Sequence, residues 1–488
     1  MSKEKEKSQL IANVRLLNPD ADGTMHLAEM TSGILVSNGR IVSIAYSQND
    51  IADLKARAKT VIDADGKVAM PGLINSHSHC YATVLRGTEN AQPLEVWALY
   101  TMAYGRILNS DLVRCAVQLS GAEMIRNGIT SVIDHIPHIG LFDHTLSAHA
   151  RTGMRVGIAP FMQDIPDHDF LEFDLPDDLR APLESPPPMT PEQTRSFFEA
   201  FFESLSDFPD RIIGMIGPNA PQRCSPALWQ VWQVLQEKHN AQVHTHLLET
   251  EIQARQSQKT WPGGLVAEMA RQGLLNSKLS TAHSIWLSQH ERDLLAEHGV
   301  TVVHNPVSNL MLGSGLMPYA DYQKRGMAIG IGSDSANTSG RHDIFEGARL
   351  AAMLPRLESL DYETWPSNAN VLGASVRAGA KVLGLERDLG CLAPGQLADL
   401  VLLDMNRSVA VGPELNPELI AQHGCRDVVT DVMIDGSWVM RDGLLQTIDE
   451  VAVLEEFADQ RGDMMARAGA QSNDTARTAA VIRGKLLN

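Results

Sequence analysis

The sequence is poor in cysteine and has no long apolar run. Its 488 residues include only five cysteines, which are scattered and form no Cys-X-X-Cys pair. A disulfide framework and a thiolate zinc site are therefore disfavoured, and reduced thiols are typical of the cytoplasm. No run approaches the roughly 18 apolar residues of a membrane span, and the charged first eight residues lack the apolar core of a secretion signal. We expect a soluble cytoplasmic protein.

Basic residues are outnumbered by acidic ones. Lys and Arg together number 41 and Asp and Glu 59, which gives a formal net charge of −18. Such a field repels phosphate backbones and anionic lipids, so nucleic acid and membranes are disfavoured as partners. With 44% hydrophobic and 20% charged residues, the chain can bury a large core, which excludes the disordered and coiled-coil classes. We expect a globular protein that binds a small molecule.

Short apolar strands alternate with helical stretches from Met70 to about residue 385. The eight candidate strands are the segment before His77 and residues 129–134, 156–159, 212–215, 241–246, 279–283, 300–304 and 328–331. Alternation of this kind predicts a parallel α/β architecture, and eight strands favour a closed, TIM-like (β/α)8 barrel over an open sheet.

Strand patterns at both chain ends predict a second, smaller domain. Residues 33–44 contain an Asn-Gly turn, and residues 398–403 and 429–440 return to a strand pattern with an Asp-Gly turn. We expect residues 1–69 and 390–450 to form a composite β-sandwich domain. The barrel would occupy residues 70–389, and a helical tail would follow at residues 451–488.

Residues 163–190 are acidic and proline-rich, which is typical of a long excursion over the barrel mouth. An active-site lid and a surface insertion without a role are both open interpretations of this segment.

The strongest local signal is a His-X-His pair at the end of an apolar strand. His77 and His79 follow Pro71-Gly72 and, two residues apart on a strand, point to the same side. Both imidazoles can then reach one ion. A lone histidine is more often a hydrogen-bonded core or surface residue, so the prediction gains from support by other strands.

Three further strands provide that support. His246 ends the fifth strand with Glu249 just beyond it, His283 ends the sixth, and Asp334 follows the eighth. Because barrel active sites lie at the carboxyl ends of the strands, we expect these side chains at one rim. His244 shares the face of His246 but lies one layer deeper, which favours a hydrogen-bonded interior residue.

Three imidazoles and one carboxylate form a donor set that suits zinc and also iron, manganese or cobalt. A metal lowers the pKa of a bound water from about 15.7 to roughly 7, which supplies hydroxide at neutral pH. Asp334 could bind the metal and take the water's proton, while His283 could orient the water or polarise the substrate. Glu249 could protonate a leaving nitrogen.

Lysine is absent between Lys67 and Lys238, a stretch that contains the first four predicted barrel strands. A binuclear site in such a barrel usually needs a bridging carboxylated lysine from the fourth strand. The candidate fourth strand, residues 211–218, has neither Lys nor Glu. The sequence therefore predicts a mononuclear site.

Together these motifs resemble the amidohydrolase superfamily, particularly its mononuclear cytosine-deaminase-like branch, which includes guanine and S-adenosylhomocysteine deaminases and the triazine hydrolases. The resemblance covers nearly the whole chain and rests on residues 70–79, 246–249, 283, 304–309, 313–315, 334, 392–403 and 435–436.

The resemblance implies a role for each candidate site residue. The implied ligands of one divalent metal ion, Zn²⁺ with Fe²⁺ as the alternative, are His77, His79, His246 and Asp334. Glu249 and His283 are implied as catalytic groups beside Asp334. A composite β domain and a homodimer are implied as well.

Substrate contacts are predicted at Trp97, Asn219 and Asn309, although Trp97 stands at a spacing that suits a helix core equally. Two departures from the family pattern bear on the substrate. Asn219 stands in Gly-Pro-Asn-Ala-Pro where related deaminases often have His, and Ser335 follows Asp334 where the family usually has Gly.

We predict a metal-dependent aminohydrolase in which metal-bound hydroxide attacks an amino-substituted nitrogen heterocycle such as a purine, pterin or triazine. The alternative is a chlorohydrolase, or an amide, carbamate or urea-type hydrolase, on the same scaffold. Glu249 favours a leaving group that needs a proton, which chloride does not. A non-catalytic scaffold is a third hypothesis, and the complete set of expected ligands argues against it.

Overall fold

The computed structural model describes residues 8–88, 92–184, 187–408 and 415–487. Parts of several predicted regions lie outside the described residues: 1–7 and 409–414 of the composite domain, 89–91 of the barrel, 185–186 of the excursion and 488 of the tail. No helix of the described chain combines the length and the apolar character that crossing a membrane requires.

The strands form two sheets with nine strands each. In chain order they are β1 (Gln9–Pro19), β2 (Met25–Ser37), β3 (Arg40–Ala45), β4 (Thr60–Asp63), β5 (Val68–Pro71), β6 (Leu73–His79), β7 (Ile129–Ile136), β8 (Arg155–Met162), β9 (Ile212–Pro218), β10 (Gln242–Leu247), β11 (Leu279–His283), β12 (Thr301–His304), β13 (Ile329–Ile331), β14 (Asp334–Ser335), β15 (Leu400–Leu403), β16 (Val429–Ile434), β17 (Ser437–Arg441) and β18 (Leu444–Leu445).

The helices lie mainly between the barrel strands. They are α1 (Gln48–Arg57), α2 (Leu94–Gly105), α3 (Ser110–Arg126), α4 (Phe142–Thr152), α5 (Asp167–Phe170), α6 (Asp177–Arg180), α7 (Pro191–Ser204), α8 (Pro226–His239), α9 (Glu251–Thr260), α10 (Leu265–Arg271), α11 (Gln289–Glu297), α12 (Pro306–Met311), α13 (Tyr319–Lys324), α14 (Ala336–Ser339), α15 (Ile344–Met353), α16 (Asn368–Val382), α17 (Pro417–His423) and α18 (Glu450–Leu486).

The first sheet combines strands from both chain ends in the order β18-β17-β16-β15-β5-β1-β2-β3, with β4 beside β1. The two ends meet where β15 pairs antiparallel with β5, Leu400 opposite Pro71. The predicted tight turns are present: Asn38 joins β2 to β3 at a φ of 50°, and Asp435 joins β16 to β17 at 51°. Gly39 cannot be replaced easily, because its φ of 76° is one that other residues rarely adopt.

The second sheet is the predicted barrel. Strands β6 to β13 follow one another as parallel neighbours, and β14 pairs with the opposite edge, Asp334 against Ser78. Because β13 and β14 are consecutive in the chain, this split eighth strand joins β12 on one side and β6 on the other. The barrel is thereby closed. Its strands β6 and β7 are buried along their whole length, as is typical of a parallel sheet covered by helices.

The barrel mouth is covered by three segments distant in sequence. Apolar side chains from the 163–190 excursion, α2 and the end of α18 form one cluster that includes Phe170, Phe173, Val96, Leu99, Ala479 and Ile482. Arg477 of α18 also forms an ion pair of 2.6 Å with Asp178 of the excursion. The predicted tail is therefore one long helix that packs on the barrel rather than a separate appendage.

A buried ion pair connects the two sheets. Arg155 at the start of β8 binds Asp399, just before β15, through two hydrogen bonds of 2.8 and 3.0 Å, and both residues are 4% exposed. Asp399 Oδ1 also accepts from the backbone N–H of Asp435. A buried guanidinium left without this carboxylate would be strongly unfavourable.

We expect Asp399→Ala to lower the free energy of unfolding by about 3–5 kcal/mol, because it strands the Arg155 charge in the interior. Urea denaturation followed by circular dichroism measures this change. The control is Asp463→Ala, which removes an exposed pair with Arg467 of α18 and should leave the midpoint nearly unchanged. Equal midpoints for the two variants would contradict the structural role of Asp399.

Candidate active site

The predicted metal-site residues converge at the carboxyl ends of the barrel strands. His77 and His79 lie on β6, His246 on β10 and Asp334 on β14. The His77 ring centroid lies 4.8 Å from that of His79 and 4.9 Å from that of His246. Asp334 Oδ1 lies 3.6 Å from His77 Nε2 and 3.5 Å from His79 Nε2. All four expected ligands thus face one small volume.

The backbone is strained at several of these strand ends. His283 has a φ of 69°, Asp334 of 59° and Leu248, between His246 and Glu249, of 41°. Non-glycine residues rarely adopt this left-handed conformation, and such strain occurs preferentially at functional sites. The turns direct the side chains inward at the point where each strand leaves the barrel.

Hydrogen bonds to backbone carbonyls fix the protons of two imidazoles. His79 Nδ1 donates to the carbonyl of His135 at 2.6 Å, and His246 Nδ1 donates to the carbonyl of Asn219 at 2.5 Å. In the neutral rings each Nε2 is then a bare lone pair. These two nitrogens lie 3.2 Å apart. Two lone pairs at that distance repel each other unless a proton or a cation lies between them.

The charge states suit cation binding. Burial lowers the pKa of His77 to about 4, and burial followed by the neighbouring imidazoles holds the pKa of His246 well below its usual value. Burial alone would raise the pKa of Asp334, but the close approach of His77 and of the other neighbouring imidazoles outweighs it and holds that pKa well below its usual range. At neutral pH His77 and His246 are therefore neutral imidazoles and Asp334 is a carboxylate. These are the forms that bind metals.

The donor geometry provides a direct test of the metal prediction. Within the described residues, donor atoms of His77, His79 and Asp334 lie within 4.8 Å of one another, and so do those of His77, His246 and His283. His77 belongs to both sets, and its buried Nε2 has no hydrogen-bond partner in the described chain. A nitrogen and oxygen donor set of this size fits one divalent cation.

Glu249 and His283 lie beside this donor set. Glu249 Oε2 is 3.5 Å from His283 Nε2, and His283 Nε2 is 3.8 Å from Asp334 Oδ2. Burial raises the pKa of Glu249, so its carboxyl group is closer to exchanging a proton at neutral pH than an exposed glutamate. Ser314 donates to Glu249 Oε1 at 2.8 Å and holds the carboxyl group in place.

The predicted substrate contacts share one property: each has a buried polar atom without a partner in the described part of the chain. These atoms are Trp97 Nε1, Asn219 Oδ1 and Asn309 Nδ2. Asn309 Oδ1 is occupied, because His283 Nδ1 donates to it at 2.8 Å. Asn309 therefore orients His283 whatever else it contacts. Unpartnered buried groups are costly unless a ligand or water satisfies them, so substrate contact stays a prediction for all three.

The sequence analysis assigned no role to Glu95 and Ser314, which lie near Glu249. Glu95 of α2 is buried, which raises the pKa of its carboxyl group, and it accepts a hydrogen bond of 2.6 Å from Thr250. Glu95 belongs to no local pattern that predicts a site, because it meets Thr250 only through the fold. Ser314 lies within the 313–315 motif of the family resemblance, but that motif does not show its contact with Glu249. Ser308 also supports the site, because it donates to Asp334 Oδ2 at 2.6 Å.

A groove of about 810 Å³ lies between α9 and the start of α11, outside the cluster of predicted site residues. Its lining includes Arg255, Trp286 and Leu316 but none of the predicted site residues. The groove therefore lies apart from the cluster of predicted site residues at the strand ends.

Comparison with known proteins finds relatives that match most of the chain. A 5′-deoxyadenosine deaminase of Methanothermobacter thermautotrophicus is 31% identical over 420 residues, 85% of this chain and 92% of that protein. A 5-methylthioadenosine/S-adenosylhomocysteine deaminase of Thermococcus kodakarensis is 32% identical over 423 residues, 85% of this chain and 91% of that protein.

Solved structures show the same architecture. The crystal structure of an adenosine deaminase from Xanthomonas campestris with bound zinc superposes with a TM-score of 0.80 at 25% identity, covering 94% of this chain and 98% of that one. The profile described as Amidohydrolase family matches residues 68–439. The predicted resemblance is thereby confirmed, and the chain belongs to the amidohydrolase family.

Proposed function

We propose that this protein is a metal-dependent aminohydrolase that removes the amino group from the purine ring of an adenosine-type nucleoside. The observation that carries the proposal is that the Nε2 atoms of His77 and His79 lie 3.6 and 3.5 Å from Asp334 Oδ1. The Nε2 atoms of His79 and His246 are 3.2 Å apart, and Glu249 Oε2 lies 3.5 Å from His283 Nε2. The names of the relatives, deaminases of 5′-deoxyadenosine and of 5-methylthioadenosine or S-adenosylhomocysteine, support the substrate class.

The residues that would hold the metal are His77, His79, His246 and Asp334. We propose Zn²⁺, because the donor set contains imidazoles and a carboxylate without thiolate and because the similar Xanthomonas deaminase holds zinc. A divalent cation bound here supplies a water of lowered pKa, a nucleophile at neutral pH.

The chain's own residues would manage the protons. Asp334 is ionised and lies where it can accept the proton that water loses. His283, oriented by Asn309, offers its Nε2 to the same volume and can steer the water or the substrate. Glu249 is positioned to carry a proton to the substrate nitrogen, since burial has raised its pKa and Ser314 fixes its orientation.

The proposed reaction has a simple balance. The oxygen of water forms a new bond to the ring carbon that bears the amino group, and one proton goes to the adjacent ring nitrogen. The carbon–nitrogen bond then breaks, and the nitrogen leaves as ammonia with the second proton. Glu249 favours this reaction over chloride release, because the amino group must take up a proton before it departs as ammonia whereas chloride leaves as an anion.

Other parts of the assignment remain predictions. These are the homodimer, the cytoplasmic location and the limits of the domains. For residues 163–190 a lid and a surface insertion without a role are the two open interpretations. The packing of that segment against α2, which carries Trp97, supports the lid interpretation.

We expect purified protein loaded with Zn²⁺ to release ammonia from adenosine, 5′-deoxyadenosine, methylthioadenosine or S-adenosylhomocysteine. A coupled ammonia assay over these compounds, with guanine, an aminopterin and a chlorotriazine as comparison substrates, measures the preference. Release of chloride from the triazine without ammonia from any purine would overturn the aminohydrolase assignment.

His246→Ala should abolish both metal retention and turnover, because the three remaining groups would have to hold an ion suited to four. Metal content by mass spectrometry and ammonia release are the two readouts. His298→Ala removes an exposed histidine outside the site and should leave both unchanged. An active His246→Ala variant with one bound ion would contradict the ligand set.

Glu249→Gln should retain the metal and lose about 10²–10⁴-fold in kcat, the usual contribution of a general acid–base group. The amide keeps the shape of the side chain but cannot carry the proton. Steady-state kinetics on the best nucleoside provide the measurement. Glu251→Gln, an exposed carboxyl group two residues away, is the matched control, and equal rates for the two variants would refute the proton-carrier role.

A further inference from the structure

We propose that His244 and Ser280 form a hydrogen-bond relay that determines which nitrogen of His77 carries the proton. The inference rests on the proposed metal site, and it assigns His244 as a positioning residue rather than a ligand. His77, His244 and Ser280 are all buried in the barrel interior, with exposures of 0%, 0% and 1%.

The direction of each hydrogen bond follows from the far end of the relay. Ser280 Oγ donates its single proton to the carbonyl oxygen of Val243 at 3.0 Å, an oxygen that can only accept. Ser280 Oγ therefore accepts from His244 Nδ1, which lies 2.8 Å away. With its proton on Nδ1, neutral His244 has a bare Nε2.

The relay then reaches the metal site. His244 Nε2 lies 2.7 Å from His77 Nδ1 and, being bare, accepts the proton of that nitrogen. The His77 proton is thereby held on Nδ1, and its Nε2 presents a lone pair toward Asp334. This is the form that a ligand must have, and outer partners of this type fix ring orientation in known metal sites.

His77 differs from His79 and His246 in the group that accepts its Nδ1 proton. His79 and His246 donate to backbone carbonyls, which cannot reverse their polarity. His77 donates to another imidazole, whose proton could sit on either nitrogen. If His244 carried its proton on Nε2, His77 would lose its acceptor and could shift its own proton to Nε2, where it would block the cation. Ser280 prevents this reversal.

Burial makes the relay necessary. No bulk water reaches these side chains, so an unsatisfied N–H of His77 could not find a substitute partner. Of the histidines beside it in the barrel interior, His244 is the one whose ring nitrogen lies at hydrogen-bonding distance from His77 Nδ1. The sequence predicted His244 only as a hydrogen-bonded interior residue, without a role toward the site.

The test compares two substitutions at position 244. His244→Gln can place an amide oxygen near the former Nε2 and accept from His77, whereas His244→Leu fills the space without an acceptor. We expect His244→Leu to weaken Zn²⁺ binding by about 10–100-fold, as for other outer partners of metal ligands, and His244→Gln to remain close to the parent. The measurement is the Zn²⁺ dissociation constant of stripped full-length protein, by competition with a chromogenic chelator.

Two further variants complete the design. His304→Gln is the matched control, because His304 is an equally buried histidine at 1% exposure that packs beside Tyr319 and makes no hydrogen bond to the proposed ligands. It should bind Zn²⁺ like the parent. Ser280→Ala removes the fixed end of the relay and should weaken binding, by less than His244→Leu. If His244→Leu does not fold, the Zn²⁺ dissociation constant of Ser280→Ala tests the relay instead.

The outcomes separate the relay from the proposed function. The relay is overturned if folded His244→Leu binds Zn²⁺ like the parent, or if Ser280→Ala does so when His244→Leu does not fold. It is also overturned if His244→Leu and His244→Gln weaken Zn²⁺ binding equally. A parent protein that binds no divalent cation overturns the proposed function instead. In that case ¹⁵N spectra of its imidazoles still test the relay, which requires a proton on Nδ1 of His77 in the parent and its loss from that nitrogen in His244→Leu.

Discussion

The proposed site depends on protons being held on the Nδ1 atoms of three imidazoles, those of His77, His79 and His246. His79 and His246 achieve this through backbone carbonyls, and His77 through His244. Each bond turns a bare Nε2 toward the same volume, where Asp334 adds a negative charge. In a dry interior such an arrangement is repulsive by itself, so the protein accepts an unfavourable local electrostatic energy that a cation would relieve. Selectivity for a cation over a neutral ligand follows from this constraint.

The barrel makes that arrangement possible because its strands end together. A parallel closed sheet brings the carboxyl ends of β6, β10, β11 and β14 to one rim, although their sequence positions span residues 73 to 335. The split of the last strand matters here. β13 completes the pairing with β12, and the two residues after it let the chain turn so that Asp334, at a φ of 59°, can pair with β6 and face the histidines.

The sequence predicted the features that depend on local pattern. Eight strands, the ends meeting in one sheet and the rim position of His77, His79, His246, His283 and Asp334 all followed from periodicity and spacing. What it could not predict are contacts made only by the fold. Ser314 reaches Glu249 across 65 residues and Glu95 reaches Thr250 across 155. The packing of α18 onto the barrel mouth depends on α2 and the excursion, and no local pattern encodes that meeting.

The structure divides the chemistry from the choice of substrate. The proposed metal-binding and proton-carrying groups stand on barrel strands or on the first turns after them, where hydrogen bonds from the chain hold them. Trp97, Glu95 and the excursion belong instead to segments that meet in the apolar cluster at the mouth, together with a helix from the far end of the chain. Changes in those segments can reshape the pocket without moving a ligand. We therefore expect the substrate ring to be distinguished by these mouth segments together with the predicted contacts Asn219 and Asn309, while the proposed hydrolytic centre stays unchanged.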